Sequence, residues 1–155
     1  MKYIDFDTWE RKEHYQFFSN ADYPQFNICM NLDITNLLSF VKGEKISFYY
    51  GMIYASTVVM NEFEDFRYKI RDGKIILHDV LKPSFTDMSP EDNLFKIVTL
   101  DIEDDIITFS NNAKKKSEEQ KEYFSKTNEV RDDLIYYSCI PWISFTHISN
   151  EIIMN

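Results

Sequence analysis

The chain has 155 residues, of which 44% are apolar and 28% charged, and its 26 acidic residues outnumber 17 basic ones to give a net charge of −9 at pH 7. An aromatic content of 16% with only 3 glycines excludes a collagen-like, low-complexity or disordered chain. No apolar stretch reaches the ~20 residues that cross a bilayer, and the charged N-terminus is unlike a signal peptide. We therefore expect one cytoplasmic domain over residues 1–155 that does not bind membranes.

The acidic balance and the two cysteines limit the possible partners further. A chain of this charge lacks the basic stripe with which proteins neutralise phosphates, so we do not expect it to bind nucleic acid. Cys29 and Cys139 are far apart and belong to no CxxC or Cys/His motif. This predicts two buried thiols, no disulfide framework and no metal site.

The N-terminal part of the chain predicts a helix, a strand and a second helix. Asp7 precedes a charged and aromatic segment that reaches Phe18, which is typical of a helix of about three turns. Apolar and mostly polar residues alternate over Phe26–Ile34, as in a strand with one buried face. Thr35 is then expected to cap a helix that ends at Gly43.

The middle of the chain predicts a buried helix followed by a β-hairpin. Phe48–Phe63 is almost continuously apolar and too long for a typical strand. Asp72-Gly73 separates two strand-like runs, Phe66–Arg71 and Lys74–Asp79, and this dipeptide favours a type I′ turn because both of its residues adopt positive φ. Pro83–Pro90 is interpreted as an extended, looping connection.

The last third predicts a strand, a long helix and a final strand. These are Leu94–Leu100, an amphipathic helix within Asp104–Phe124, and Leu134–Ile140, which ends at Pro141. The order of the elements favours an α/β (α+β, two-layer) domain in which helices cover one face of a single mixed sheet.

The residues that could carry chemistry are few. His14, His78 and His147 belong to no metal-binding or Ser-His-Asp pattern, and the chain has no glycine-rich phosphate loop. We interpret His14 as a surface or packing residue and His78 as structural. Ser138 follows an apolar run, where an unpartnered hydroxyl costs ~1–3 kcal/mol, so it is either a satisfied core serine or a functional hydroxyl.

Four phenylalanines could line an apolar ligand pocket with one or two polar anchors. They are Phe17, Phe18, Phe26 and Phe95. Aromatic side chains at such positions also build ordinary cores, so residue types alone leave the function open.

A series of short motifs, taken in order, carries more information. They are Trp9-Glu10-Arg11-Lys12-Glu13-His14-Tyr15, Leu32-Asp33-Ile34-Thr35, Met52-Ile53-Tyr54, Asn61, Phe66-Arg67, Pro83-Ser84-Phe85-Thr86, Phe95 and Ser138-Cys139-Ile140-Pro141-Trp142-Ile143-Ser144-Phe145. Through this series, which covers positions 9–145, the chain resembles the chloramphenicol acetyltransferase family. The resemblance implies a homotrimer in the CoA-dependent acyltransferase fold, with active sites at the subunit interfaces.

The resemblance also implies an activity and a set of site residues. Members of the family transfer acetyl from acetyl-CoA to the 3-hydroxyl of chloramphenicol, with a histidine as general base and a serine that stabilises the oxyanion. Ser138 matches that serine, and Arg11 matches an arginine that supports the base. Phe17, Phe18, Phe26 and Phe95 match aromatic positions beside the antibiotic, and no CoA-binding residue is assigned.

One position and one missing motif depart from the family pattern. Tyr136 stands where familiar members have an asparagine, two residues before the serine. The signature His-His-Ala-x-x-Asp-Gly, which holds the catalytic histidine, does not occur in the 155 residues. We therefore expect an incomplete, C-terminally truncated domain whose base lies in a further segment; the alternative is an inactive truncated relative that acts as a binding or oligomerisation module.

Overall fold

The structure is a computed structural model that describes residues 1–89, 91–124, 131–140 and 142–149. This part of the chain has a mixed α/β architecture, as predicted. It divides into two compact units, the first formed by Met1–Ile4 with Ile34–Cys139 and the second by Asp5–Asp33 with the residues from Ile140 onward. Pro90 and Pro141, which end two of the predicted elements, lie outside the described residues.

The described residues form six strands and five helices. The strands are β1 (Lys2–Tyr3), β2 (Tyr68–Arg71), β3 (Lys74–Leu77), β4 (Lys82–Met88), β5 (Phe95–Thr99) and β6 (Leu134–Tyr137). The helices are α1 (Lys12–Phe18), α2 (Thr35–Gly43), α3 (Phe48–Glu62), the short α4 (Glu64–Arg67) and α5 (Ile106–Glu119).

The first sheet has the strand order β1-β3-β2 and is antiparallel throughout. It contains the predicted hairpin, in which Arg71 pairs with Lys74. Asp72 and Gly73 adopt φ of 50° and 71°. Both values lie in the left-handed region that a type I′ turn uses, so the hairpin prediction is confirmed.

The second sheet has the order β5-β4-β6, with β4 antiparallel to β5 and parallel to β6. In the described part of the chain the strands thus form two three-stranded sheets, not the single mixed sheet that was predicted. The prediction over Pro83–Pro90 is right in expecting extended backbone but wrong in expecting a loop, because Lys82–Met88 forms β4, the central strand of this sheet. Pro83 is accommodated at the second position of β4, and its carbonyl still accepts from the Leu100 amide at 3.2 Å.

Helices α3 and α5 cover the second sheet and enclose the core. The buried cluster consists of Ile53, Phe85, Val98, Phe109 and Ala113. Both helices were predicted, and Asp105 caps α5 by accepting from the amides of Ile107 and Thr108 at 2.9 Å each.

Glycine is needed where α2 and α3 meet. A Cβ atom on Gly51 would lie 2.8 Å from Cγ1 of Val41, a buried residue of α2. Real Cβ atoms essentially never approach so closely, and the missing side chain therefore lets the two helices pack together.

The N-terminal region departs most from the sequence-based expectation. Helix α1 is shorter than predicted, and α2 begins after Ile34 without a side-chain cap instead of being capped by Thr35. Phe26–Ile34 forms no strand, and residues 24–33 are all exposed. Within the described residues no strand pairs with this segment, and an alternating pattern alone cannot satisfy backbone amides.

A carboxylate connects the first sheet to the segment that precedes β6. Asp132 accepts two hydrogen bonds from Arg71, at 2.7 and 2.6 Å, and its Oδ1 lies 3.0 Å from Nε2 of His78. The paired guanidinium holds the pKa of Asp132 at about 2. His78 is thus buried and joined to this carboxylate, which supports the interpretation of His78 as structural.

Candidate active site around Ser138

Ser138 lies directly after β6, at the end of the strand that runs parallel to β4. Phe85 pairs with Tyr137 in this register, which places Thr86 beside Ser138. The Thr86 hydroxyl donates to Oγ of Ser138 at 3.4 Å. Ser138 is exposed. The interpretation as a core serine is therefore wrong, and its hydroxyl is available to a bound molecule.

Two tyrosines from the first turn of α3 hold the end of β4. Tyr49 donates to the Thr86 carbonyl at 2.7 Å, and Tyr50 donates to Oδ2 of Asp87 at 2.5 Å. Both rings pack against Phe85, at centroid distances of 5.9 and 5.7 Å. Burial raises the pKa of Tyr49 to about 12 and also raises the pKa of Tyr50. Both hydroxyls therefore keep their protons and remain donors at neutral pH.

The residues next to Ser138 in sequence differ in their burial and in their contacts. The Tyr137 hydroxyl lies 2.7 Å from Oγ1 of Thr57 and thereby ties β6 to α3. Tyr136, where familiar family members have an asparagine, is 66% exposed. Cys139 and Cys29 are both exposed, so the prediction of buried thiols is wrong. Partial burial nevertheless raises the pKa of the Cys139 thiol, which makes it a weak nucleophile at neutral pH.

Phe95 lies on the other side of β4 from Ser138. It begins β5, pairs with Met88 and is half exposed. Its ring meets that of Phe124 edge to face at 5.7 Å. The register thus brings two of the predicted site residues, Ser138 and Phe95, to the same end of β4, on the strands that flank it.

In the second unit, α1 carries two of the predicted site residues, Phe17 and Phe18, and a third, Arg11, lies directly before it. Arg11 precedes the helix, its carbonyl accepts from the Tyr15 amide at 2.9 Å, and its Nε lies 4.0 Å from the carboxylate of Glu10. Phe17 and Phe18 end the helix with their rings 5.2 Å apart, edge to face. These two rings, together with Glu13 and His14, line an open cavity of about 480 Å³.

Phe26 is the most exposed of the predicted site residues. It lies on the extended segment after α1, with 88% of its surface accessible. The next residue, Asn27, donates through its side chain to the carbonyl of Ile148, which joins this segment to the last described residues. The role of Phe26 as part of a substrate wall stays a prediction.

Among the described residues, the histidines and acidic side chains away from Ser138 form no metal-binding cluster. His14 and His147 are both exposed. In the described ranges, no three His, Cys, Asp or Glu side chains converge in a way that could hold a metal ion. Among these residues there is also no helix with the length and apolar character needed to cross a membrane.

Sequence reasoning missed the roles of Thr86, whose hydroxyl donates to Ser138, and of Tyr49, whose hydroxyl donates to the Thr86 carbonyl. Thr86 was assigned to a loop because two prolines bracket Pro83–Pro90. The alternation of Ser84, Phe85 and Thr86 is a strand signal that could have placed it on β4.

The mixed α/β fold is the one that a solved chloramphenicol acetyltransferase adopts. The family model described as chloramphenicol acetyltransferase matches residues 1–155. The chain belongs to the chloramphenicol acetyltransferase family.

Individual relatives agree with this assignment. The chain is 29% identical over 147 residues to chloramphenicol acetyltransferase from Proteus mirabilis, covering 92% of this chain and 66% of the relative. It is 28% identical over 149 residues to chloramphenicol acetyltransferase 3 from Escherichia coli, covering 94% and 70%. A solved chloramphenicol acetyltransferase structure superimposes with a TM-score of 0.87 at 28% identity, covering 97% of this chain and 74% of that one. The chain thus spans about two thirds of the length of the curated relatives that it matches.

Proposed function

We propose that this chain supplies the oxyanion-stabilising part of an acetyl-CoA-dependent O-acetyltransferase. The acceptor is the 3-hydroxyl of chloramphenicol or of a similar small alcohol. Family membership over residues 1–155 supports the reaction class. The observation that carries the proposal is the exposed Ser138 hydroxyl, which accepts a hydrogen bond from Thr86 and keeps its own proton to donate.

In the proposed reaction, a general base removes the proton from the acceptor hydroxyl while its oxygen attacks the thioester carbonyl. The new C–O bond gives a tetrahedral oxyanion, to which Ser138 donates a hydrogen bond. A preorganised donor of this kind contributes ~2.7–4 kcal/mol to transition-state stabilisation. Collapse breaks the C–S bond, and the proton held by the base passes to the departing CoA sulfur.

The other site residues enter the proposal with the roles that the family resemblance gives them. Arg11 supports the base, and we assign the base itself to polypeptide outside the 155 residues, because these contain no His-His-Ala-x-x-Asp-Gly sequence. Phe17, Phe18, Phe26 and Phe95 contact the acceptor. Their exposed rings are suited to an aromatic, partly apolar molecule.

The proposal also covers the oligomeric state of the protein and its location in the cell. We propose a cytoplasmic homotrimer of one-domain subunits, in which each site is completed by a neighbouring subunit. Association would cover exposed apolar side chains such as Phe17 and Trp142, which are 76% and 72% accessible in the single chain. Sedimentation equilibrium tests this directly: a trimer is expected, and a monomer at micromolar concentration would contradict it.

Product analysis tests the activity. Protein translated from the complete reading frame is mixed with acetyl-CoA and chloramphenicol, and both free thiol and acetylated antibiotic are measured. We expect thiol release that depends on the acceptor and vanishes with an analogue that lacks the 3-hydroxyl. Binding of chloramphenicol by calorimetry without any transfer would overturn the proposal and favour the inactive binding module.

A further inference from the structure

The contact between Thr86 and Ser138 is directional. The arrangement of the two hydroxyls, 3.4 Å apart, allows Thr86 to donate and Ser138 to accept. At the other side of β4, Ser84 and Thr99 form a similar pair at 2.9 Å, but there either hydroxyl can donate. Ser138 is the acceptor in this contact and donates to none of the described residues, so its own proton is available to a bound molecule.

We propose that Thr86 is a positioning residue that orients the Ser138 hydroxyl for its role in acetyl transfer. This inference rests on the proposed function. A serine hydroxyl rotates freely and its side chain has three staggered rotamers, so an unsupported Ser138 would point at the oxyanion only part of the time. A donor at Oγ selects one rotamer and directs the Ser138 proton away from Thr86.

The same hydrogen bond strengthens Ser138 as a donor. Hydroxyl groups in a chain polarise one another, and an oxygen that accepts a hydrogen bond donates its own proton more strongly. The 3.4 Å separation is longer than the usual ~2.7–2.8 Å between hydroxyl oxygens. We expect it to shorten when substrate binds, as hydrogen bonds at enzyme sites commonly do.

Thr86 is well placed for this task because its backbone is held on three sides. It pairs with Ile97 on β5, it neighbours β6, and its carbonyl accepts from the half-buried Tyr49 hydroxyl at 2.7 Å. Its β-branched side chain has few accessible rotamers. The donor is therefore fixed before substrate arrives.

Three variants separate the hydroxyl of Thr86 from its shape. Thr86→Val keeps the branched side chain and removes the donor, whereas Thr86→Ser keeps the donor and removes the methyl group. Thr99→Val is the matched control, because it removes a threonine–serine hydrogen bond of the same sheet without touching Ser138.

Steady-state kinetics of acetyl transfer give the first readout. We expect Thr86→Val to lower kcat about tenfold, with both KM values within about twofold of wild type, because the hydrogen bond acts on the transition state. Thr86→Ser should recover kcat to within about threefold, and Thr99→Val should stay within about twofold. In a Ser138→Ala background Thr86→Val should have no further effect, and a full tenfold loss there would overturn the proposal.

A second readout does not depend on activity. Serine-selective isotope labelling and three-bond couplings report the χ1 rotamer of Ser138 in the same preparations. We expect one dominant rotamer in wild type and Thr86→Ser, and averaging among rotamers in Thr86→Val. Unchanged couplings in Thr86→Val would refute the inference. If the wild-type protein transfers no acetyl group while Thr86→Val still loses its rotamer, the proposed function fails and the positioning role stands.

Discussion

Asp132→Asn tests how strongly a single carboxylate joins the first sheet to the segment before β6. Asp132 accepts two hydrogen bonds from Arg71 and is three-quarters buried, with a side-chain accessibility of 26%. Its pKa falls from 3.8 to about 2 in the folded chain. This shift corresponds to about 2 kcal/mol of folding free energy near pH 7. Replacing the carboxylate with an amide keeps the size of the side chain and removes the charge that produces this stabilisation.

The shifted pKa of Asp132 also predicts how the stability difference between wild type and Asp132→Asn changes with pH. The folded-state pKa of Asp132 lies below the unfolded value, so the stabilisation is complete above pH ~5 and is lost as the pH falls through about 2. Urea unfolding of wild type and Asp132→Asn should therefore differ by about 2 kcal/mol at pH 7 and by clearly less at pH 3. The control is Glu62→Gln, an exposed residue of α3 without an ion pair among the described residues. A difference at pH 7 no larger than that of the control, or one that does not shrink at pH 3, would refute the reasoning.

Three further substitutions test packing, capping and side-chain support of the backbone by the same unfolding measurement. Gly51→Ala should destabilise by about 1 kcal/mol despite its better helix propensity, because its Cβ would lie 2.8 Å from Val41; in a Val41→Ala background this loss should disappear. Asp105→Ala should lower the free energy of unfolding by about 1 kcal/mol because α5 loses its N-terminal cap, and Asp105→Asn should lower it clearly less. Equal decreases for the two variants would contradict the capping role. Asn61→Ala should lower the free energy of unfolding by about 2 kcal/mol, because the Asn61 side-chain amide donates to the Leu81 carbonyl at 2.9 Å and accepts from the Leu81 amide at 2.7 Å. A decrease of less than about 0.5 kcal/mol would contradict this support of the backbone.

Elements with strong local signals could be predicted from the sequence. Asp72-Gly73 determines its turn through the φ values that these two residues tolerate, whichever strands lie next to the hairpin. The apolar run that forms α3 is long enough to exclude a strand. The sequence signals of the hairpin turn and of α3 each lie within one short segment, so both elements could be predicted without knowing which distant residues they contact.

Elements that depend on distant partners could not be predicted in the same way. The alternation over Phe26–Ile34 resembles a strand, but a strand forms only where another strand satisfies its backbone, and none of those described does so. The opposite error occurred at β4, where Pro83 suggested a loop although β5 and β6 supply partners on both sides. Whether Phe26–Ile34 and Lys82–Met88 form strands depends on pairing with other strands, and the pattern of a single segment does not indicate such pairing.

The candidate site shows the same division. The motif around Ser138 identified the hydroxyl that the structure places at the exposed end of β6. Its neighbours Thr86 and Tyr49 come from β4 and α3, far away in sequence, and only the register of β4 with β6 brings Thr86 beside Ser138. Local motifs can therefore name a reactive group before the side chains that orient it are known.

The measurement that tests the central claim most directly is the effect of Ser138→Ala on kcat for acetyl transfer to chloramphenicol. The matched control is Ser39→Ala, an exposed serine on α2. We predict a fall of about 10²–10³ for Ser138→Ala with intact folding, the loss expected for one oxyanion donor, and no change for the control. Equal kcat values for Ser138→Ala and Ser39→Ala would show that the hydroxyl at the end of β6 does not stabilise the transition state.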